Sequence, residues 1–259
     1  MRYANKVTII TGAAQGIGAG CAHVFAAAGA TVIVADRKEA EGRATTAMIN
    51  AQGVGPAHFI QTDVTQTEDI QRLIETTVAQ FGRLDCVINN AGSHPPHKPI
   101  DEFSFDEFRA LLDLNVMSVF AACKFALPHL RRTQGNIINI ASLVGTLGQL
   151  HATTYVATKG AVAAFSKALA IDEARHGVRV NSVSPGNIWT PLWQEAVDAS
   201  SNPAQTKADG EAAQWLGRMG TPEEAGRLCL FLAAEASFTT GVDHLLTGGA
   251  EIGYGRKPL

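Results

Sequence analysis

Seven short runs rich in β-branched residues punctuate this chain, at Val7 to Thr11, Thr31 to Ala35, His58 to Ile60, Cys86 to Asn89, Asn136 to Ala141, Val178 to Val183 and Val242 to Thr247. The stretches between them are longer and carry apolar residues at helical spacing, as in Phe108, Leu111, Leu112 and Val116. Alternation of this kind leaves few solutions. Neighbouring strands with a helix between them run parallel, because the chain must cross over to return to the same edge, and a parallel sheet must be covered on both faces. The pattern predicts an α/β protein with a central seven-stranded parallel sheet and helices on both faces. No repeat, low-complexity tract or linker interrupts it, so residues 1–259 are expected to form one domain.

The least regular stretch is 187–220, before a helix opened by Thr221-Pro222-Glu223-Glu224, where Thr221 is a good N-cap and Pro222 a good first residue. It falls at the carboxyl edge of the sheet, where α/β folds bind ligands, and is expected to be a substrate lid. A plain surface excursion is the alternative.

With 46% hydrophobic and 17% charged residues, the chain has enough apolar material for a core and too little charge for disorder. Its formal charge of −3 is spread without a basic run, which argues against nucleic acid or an anionic membrane as partner. No uninterrupted apolar run approaches the ~20 residues of a membrane span. Small molecules are the expected partners. Cys21, Cys86, Cys123 and Cys229 lie far apart in apolar stretches, without the C-x-x-C spacing of zinc or thiol exchange, and are expected to be buried and reduced. No leader pattern precedes the first strand, so the expected address is cytoplasmic.

The first run continues into Thr11-Gly12-Ala13-Ala14-Gln15-Gly16-Ile17-Gly18 and then a helix. Gly12, Gly16 and Gly18 permit a tight turn, let backbone N–H groups approach a pyrophosphate and allow close helix packing, with Gln15 and Ile17 at the helix N-terminus. This fits the dinucleotide turn of a doubly wound Rossmann fold; an ordinary strand-to-helix turn is the alternative. Asp36 follows about 20 residues later, where a carboxylate accepts hydrogen bonds from ribose hydroxyls. A 2′-phosphate there meets like charge. Arg37 partly offsets this, but Gln15 rather than a basic residue precedes Gly16, so NAD is expected over NADP. Asp63, with Val64 beside it, is placed to bond adenine or else to cap the helix ahead of Glu68. Asn89-Asn90-Ala91-Gly92 closes the fourth run: small residues there admit a flat adenosine while the amides tie down loops, unless it is a simple turn.

Tyr155 and Lys159 are four residues apart in a helical segment and share a face. A phenol of ordinary pKa ~10 is a poor base at neutral pH, but a neighbouring ammonium favours its phenolate. Tyr155 is thus a candidate acid/base for alcohol oxidation or ketone reduction, and Lys159 can also bind the nicotinamide ribose. Ser142 precedes Tyr155 by 13 residues and closes the fifth run, where its hydroxyl can bond the reacting oxygen.

Taken together, Thr11-Gly-x3-Gly-x-Gly, Asn89-Asn-Ala-Gly, Asn115, Ser142, Tyr155-x3-Lys159 and Pro185-Gly186 resemble, in that order, the short-chain dehydrogenase/reductase family. The resemblance implies that Asn115 anchors a water linking Lys159 to solvent; a buried structural Asn is the competing account. It also implies that Pro185-Gly186 bends the chain past the nicotinamide, with Ile188 and Thr190 reaching the carboxamide. A homotetramer is implied, paired through the helix around Phe105 to Arg132 and the Tyr155 helix, with the tail from Glu251 to Leu259 reaching a neighbouring subunit's pocket.

Further segments narrow the likeness: His94-Pro95-Pro96, Ser142-Leu143-Val144-Gly145, Tyr155 to Ala161, Pro185 to Trp193, and Thr247-Gly248-Gly249-Ala250-Glu251-x-Gly253-Tyr254-Gly255. They are similar to the type 14 subfamily of 17β-hydroxysteroid dehydrogenases. That similarity implies an NAD-dependent oxidoreductase interconverting a secondary alcohol and a ketone, of the 17β-hydroxysteroid type. Oxidation of L-fucose at its anomeric hydroxyl, an activity also associated with the subfamily, is the alternative. The expected lining is mixed. Leu143, Leu147, Leu150, Leu192, Trp193, Trp215 and Leu216 can cover an apolar polycycle, while His94, Gln149, His151 and Asn187 can bind several hydroxyls. His94 and His97 do not read as a metal site, because flanking prolines hold the loop extended and no third ligand is evident. A dinucleotide-sensing regulator would not need the Ser-Tyr-Lys set, and an acyl-carrier-protein reductase would want NADP and a basic docking surface, against Asp36.

Overall fold

Each of the seven runs forms a strand in the computed structural model, which describes residues 1–252: β1 (Val7–Thr11), β2 (Thr31–Asp36), β3 (Ala57–Gln61), β4 (Cys86–Asn89), β5 (Asn136–Ile140), β6 (Arg179–Pro185) and β7 (Asp243–Leu246). They build one sheet in the order β3-β2-β1-β4-β5-β6-β7, with every neighbouring pair parallel. The chain reverses its direction of winding between β1 and β4, so a crevice opens at the carboxyl ends of these two strands.

Both faces of the sheet are covered, as β-branched runs without polar alternation require. Ile10, Val32, Val34, Ile88, Ile138 and Val183 pack with Phe25 of α1 (Gly16–Ala27), Ile49 of α2 (Glu39–Ala51) and Leu230 of α10 (Pro222–Ala234). The alternate residues Ile9, Ile33, Val87, Ile137 and Val180 pack on the other side. There they meet Leu73 of α3 (Thr67–Phe81), Leu127 and Leu130 of α5 (Ser118–Thr133) and Val162 of α7 (Thr153–Ala174). Ile9 and Ile10 are both fully buried, which is the mark of a strand sandwiched between helical layers. The four cysteines are buried free thiols.

α4 (Phe105–Leu112) opens with a reciprocal cap between Ser104 and Glu107 and runs through a wider π-helical turn, Asp113–Met117, into α5. This continuous stretch, Phe105–Thr133, is long and apolar enough to cross a membrane. Val119, Cys123, Ala126, Leu127 and Leu130 nevertheless belong to the core beneath the sheet. A short α6 (Val144–Leu147) precedes α7.

The stretch 187–220, expected to be irregular, contains two helices, α8 (Pro191–Asp198) and α9 (Pro203–Ala212). Pro191 and Pro203 each occupy the first turn, and the Asn202 side chain accepts from the Gln205 N–H. Polar, solvent-facing α9 has almost no apolar stripe, so periodicity concealed it while Asn202-Pro203 marked its start. Thr221, Pro222 and Glu224 start α10 as expected, with a reciprocal cap. In the tail proposed to reach a neighbouring subunit, Glu251 and Ile252 are described, and the part from Gly253 onward lies outside the described residues.

Candidate active site

The glycine turn lies in the crevice between β1 and β4. Gly12 has φ +64°, a left-handed conformation costly for other residues, and a Cβ on it would stand 2.9 Å from Ala91 Cα. A Cβ on Gly18 would lie 2.3 Å from the Gly12 carbonyl oxygen, so α1 approaches the turn as closely as backbone allows. No side chain caps α1 at Gln15, and its first turn carries no acid. The N–H groups and dipole of that end are therefore available to an anion. Gln15, Gly16 and Ile17 are all half-buried at its mouth.

Asn90 locks this turn. Its Nδ2 donates to the carbonyl oxygens of Thr11 and Gly12 at 2.9 and 3.0 Å, while the Thr11 hydroxyl accepts the N–H groups of Asn90 and Ala91. The segment is thus a tie between two loops and not a simple turn. Its neighbour Asn89 points beneath the sheet, donating to Asn139 Oδ1 at 2.8 Å, and Asn139 in turn donates to the Ser166 hydroxyl of α7.

Asp36, at the end of β2, accepts the Ala14 N–H at 3.0 Å and the Lys38 N–H at 2.9 Å, which fixes its carboxylate beside the turn. Arg37 is exposed and is engaged through its backbone carbonyl, which accepts from Gln61. The Lys38 ammonium reaches the turn, donating to Gln15 Oε1 at 3.2 Å. Spacing in the sequence does not single out Lys38, which lies two residues beyond Asp36 and meets Gln15 only through the fold. Asp63 takes the Thr65 N–H and hydroxyl on Oδ1, a local turn, while the N-cap position of α3 belongs to Gln66, so the helix-cap reading of Asp63 is replaced. Val64 packs against the small cluster of Ile70, Ala121 and Ala122. An uncapped helix start, a cradle that any Cβ would fill and a fixed carboxylate fit the pyrophosphate and ribose of a dinucleotide.

Ser142, Tyr155 and Lys159 come together at the carboxyl edge. The Ser142 hydroxyl hydrogen-bonds the Tyr155 phenol. Burial holds that phenol above its ordinary range, and the bond to Ser142 works against the burial. Lys159 is 5% exposed, and its ammonium donates to the Ile140 carbonyl at 2.8 Å, 5.9 Å from the Tyr155 ring centroid. Burial lowers its pKa to about 8. Gly92 sits between Asn115 and Lys159: a Cβ there would be 3.0 Å from Asn115 Oδ1 and 3.5 Å from Lys159 Nζ.

Asn115 lies in the π turn and is 1% exposed. Its Oδ1 accepts the Ser93 N–H, and its Nδ2 donates to the Ser93 carbonyl and to the Thr158 hydroxyl at 3.1 Å. These are the contacts of the structural account: the amide clasps the loop after β4 to the helix that carries Tyr155.

That loop forms one wall of the cleft. The His94 ring lies 4.2 Å from the Tyr155 ring, with Nε2 3.0 Å from Gln149 Oε1 and Nδ1 2.6 Å from the Pro95 carbonyl. His97 Nδ1 bonds the Leu150 carbonyl, and the Lys98 N–H donates to the carbonyl of His151, a residue at φ +57°. Successive residues thus zip 94–98 to 149–151. Opposite, the exit from β6 is anchored by Gly186 N–H to Leu246, and Leu143 N–H donates to Pro185.

Of the expected lid contacts, several are structural. Ile188 is buried and bridges to Gly220, pinning the beginning of the excursion to its end. Asn187 Nδ2 donates to the Gly210 carbonyl, so its amide is committed to packing α9. The Trp193 ring abuts Gly210, whose Cβ would meet it at 3.0 Å, and is wedged between α8 and α9. Thr190 and Pro191 stand over Gly16, with Thr190 Cγ2 3.5 Å from a Cβ placed there. Leu192 remains half exposed at the rim.

The family model described as "Enoyl-(Acyl carrier protein) reductase" matches residues 12–251. An L-fucose dehydrogenase of Oryctolagus cuniculus is 54% identical over 254 residues, 98% of this chain and 88% of that protein. One of Rattus norvegicus is 55% identical over 256 residues, 99% of this chain and 93% of that protein. A cyclopentanol dehydrogenase of Comamonas testosteroni is 38% identical over 250 residues, 96% of this chain and 98% of that protein.

Proposed function

Because this chain belongs to the short-chain dehydrogenase/reductase family, oxidoreductases acting on CH–OH, we propose that it oxidises L-fucose at the anomeric carbon with NAD. The observation that carries this reading is the likeness, over nearly the whole chain, to mammalian L-fucose dehydrogenases. The polar wall of His94 and Gln149 beside Tyr155 supports it, since a sugar needs donors and acceptors where a polycycle needs apolar surface.

NAD, held by the glycine turn, Asp36, Asn90 and Lys159, would supply the hydride acceptor. Ser142 donates a hydrogen bond to the anomeric oxygen and keeps it beside the phenol. Tyr155, as phenolate, accepts the hydroxyl proton while the anomeric C–H loses its hydride, leaving a lactone carbonyl. Lys159 supplies the nearby positive charge that makes the phenolate accessible despite burial. Asn115 holds Ser93 and Thr158, and so the wall and the Tyr155 helix, in register.

A hydroxysteroid is the second reading, favoured by Leu150 and Leu192, 78% and 49% exposed near the cleft. The assembly proposed is a cytoplasmic homotetramer, and the exposed Met117, Phe120 and Ile171 on the helices expected to pair support it.

NADH formation at mildly alkaline pH, with L-fucose, cyclopentanol and estradiol offered to wild type and Tyr155→Phe, tests the function. Tyr155-dependent turnover with L-fucose as the best substrate by kcat/KM is the expected result. A higher kcat/KM for estradiol replaces the sugar reading with the steroid one.

A further inference from the structure

We infer that Lys38, and not the Arg37 that adjoins Asp36, governs how this chain receives a phosphate on the adenosine 2′-oxygen, giving the NAD crevice a measurable tolerance for NADP. The inference rests on the dinucleotide reading above and goes beyond it by naming the residue that sets the cofactor ratio.

Two opposite charges flank the same short piece of backbone. The Asp36 carboxylate is fixed at Ala14 by the Ala14 N–H, and the Lys38 ammonium is fixed at the next residue by Gln15 Oε1. The Lys38 N–H also donates to Asp36 Oδ1, so one turn positions both groups. A ribose bonded to Asp36 therefore has the ammonium of Lys38 at its border. A phosphate on that ribose meets repulsion from Asp36 and attraction from Lys38, and Gln15 supplies a neutral tether that can exchange its bond for a phosphate oxygen.

Glu39 pairs with Arg43, which also lies over the Phe59 ring at 5.5 Å. Arg37 is exposed, and its carbonyl accepts from Gln61 of β3. Because α1 carries no acid in its first turn, Asp36 is the carboxylate that Lys38 has to offset there.

The test is calorimetric binding of adenosine 5′-monophosphate and adenosine 2′,5′-bisphosphate to wild type, Lys38→Ala and Arg37→Ala, at low and high salt. Wild type is expected to bind both. Lys38→Ala is expected to weaken the bisphosphate by about fivefold, the scale of one exposed charge pair, and to lose most of the salt dependence of the difference. The monophosphate should change by less than about twofold, and Arg37→Ala should leave the ratio of the two close to wild type. A ratio that moves with Arg37→Ala and not with Lys38→Ala overturns the inference, as does a wild type that rejects the bisphosphate outright. Failure of wild type to bind either probe overturns the dinucleotide reading itself, a separate and recognisable result.

Discussion

Lys159 reaches from α7 to the last residue of β5, its ammonium donating to the Ile140 carbonyl at 2.8 Å in a place almost closed to water. The charge is kept there at a cost to folding. Burial lowers the folded pKa to about 8, below the ordinary 10.5, so between these values the unfolded chain binds more protons than the folded one. Stability contributed by this residue therefore rises with pH from about 8 toward 10.5 and is at its lowest below 8.

Lys159→Met is accordingly expected to be inactive yet more stable at pH 7, by up to about 3 kcal/mol less the lost bond to Ile140. Denaturant unfolding across pH 7 to 10 should show the wild type gaining on the variant as pH rises. A parallel pair of curves would mean that the lysine binds as many protons folded as unfolded, so that burial does not shift its titration.

Asn90→Ala removes the amide that donates to the Thr11 and Gly12 carbonyls and unties the glycine turn. A loss of about 1–3 kcal/mol in stability is expected. NADH affinity should fall by tenfold or more, measured by fluorescence below the unfolding transition. A variant with normal NADH affinity would show that the turn keeps its shape without the tie.

Asp85 should make the fold acid-sensitive. It is 2% exposed at the amino edge of the sheet and accepts from the Val7 N–H, from Arg83 at two points and from Lys6. Burial alone would raise its pKa, but these hydrogen bonds outweigh burial and hold it below the ordinary 3.8. A depressed carboxylate stabilises the fold above its unfolded pKa, and the contribution disappears as pH falls through the folded one. Asp85→Asn should cost about 2 kcal/mol at neutral pH and flatten the stability profile below pH 4, read by urea titration.

Gln149→Ala removes the partner of His94 Nε2 at the rim while leaving Ser142, Tyr155 and Lys159 in place. kcat/KM for L-fucose is expected to drop about tenfold or more, with little change for cyclopentanol, which offers a single hydroxyl. Equal losses on both substrates would assign Gln149 to holding the wall and not to reading the sugar.

The sheet, and most of the residues the fold gathers at the candidate site, are legible because they depend on local patterns: β-branched runs, a glycine turn and a four-residue helical spacing. All seven strands fall within one or two residues of the predicted runs. What escaped depends on tertiary contact or on stripes too polar to detect. α9 has no apolar periodicity to reveal it, although Asn202-Pro203 announced its start. Lys38 became visible only when the fold brought Gln15 to its side chain, and Trp193 and Asn187 turned from substrate contacts into lid packing through Gly210. Asn115 was singled out, but its partners Ser93 and Thr158 lie far apart in sequence and no spacing rule joins them.

The bond from the Asn90 N–H to the Thr11 hydroxyl joins positions 79 residues apart. A ribosome adding roughly 5–20 residues per second exposes Thr11 several seconds before Asn90. Throughout that interval the nascent segment has its glycine turn, tied to β2 through Asp36, but lacks the bonds from Asn90. An amino-terminal fragment ending before β4 would be unable to hold the dinucleotide, and coenzyme can act as a folding aid only for chains whose synthesis has passed that point. The crevice closes only when β4 arrives beside β1, so ligand-assisted folding begins no earlier than about a third of the way through translation.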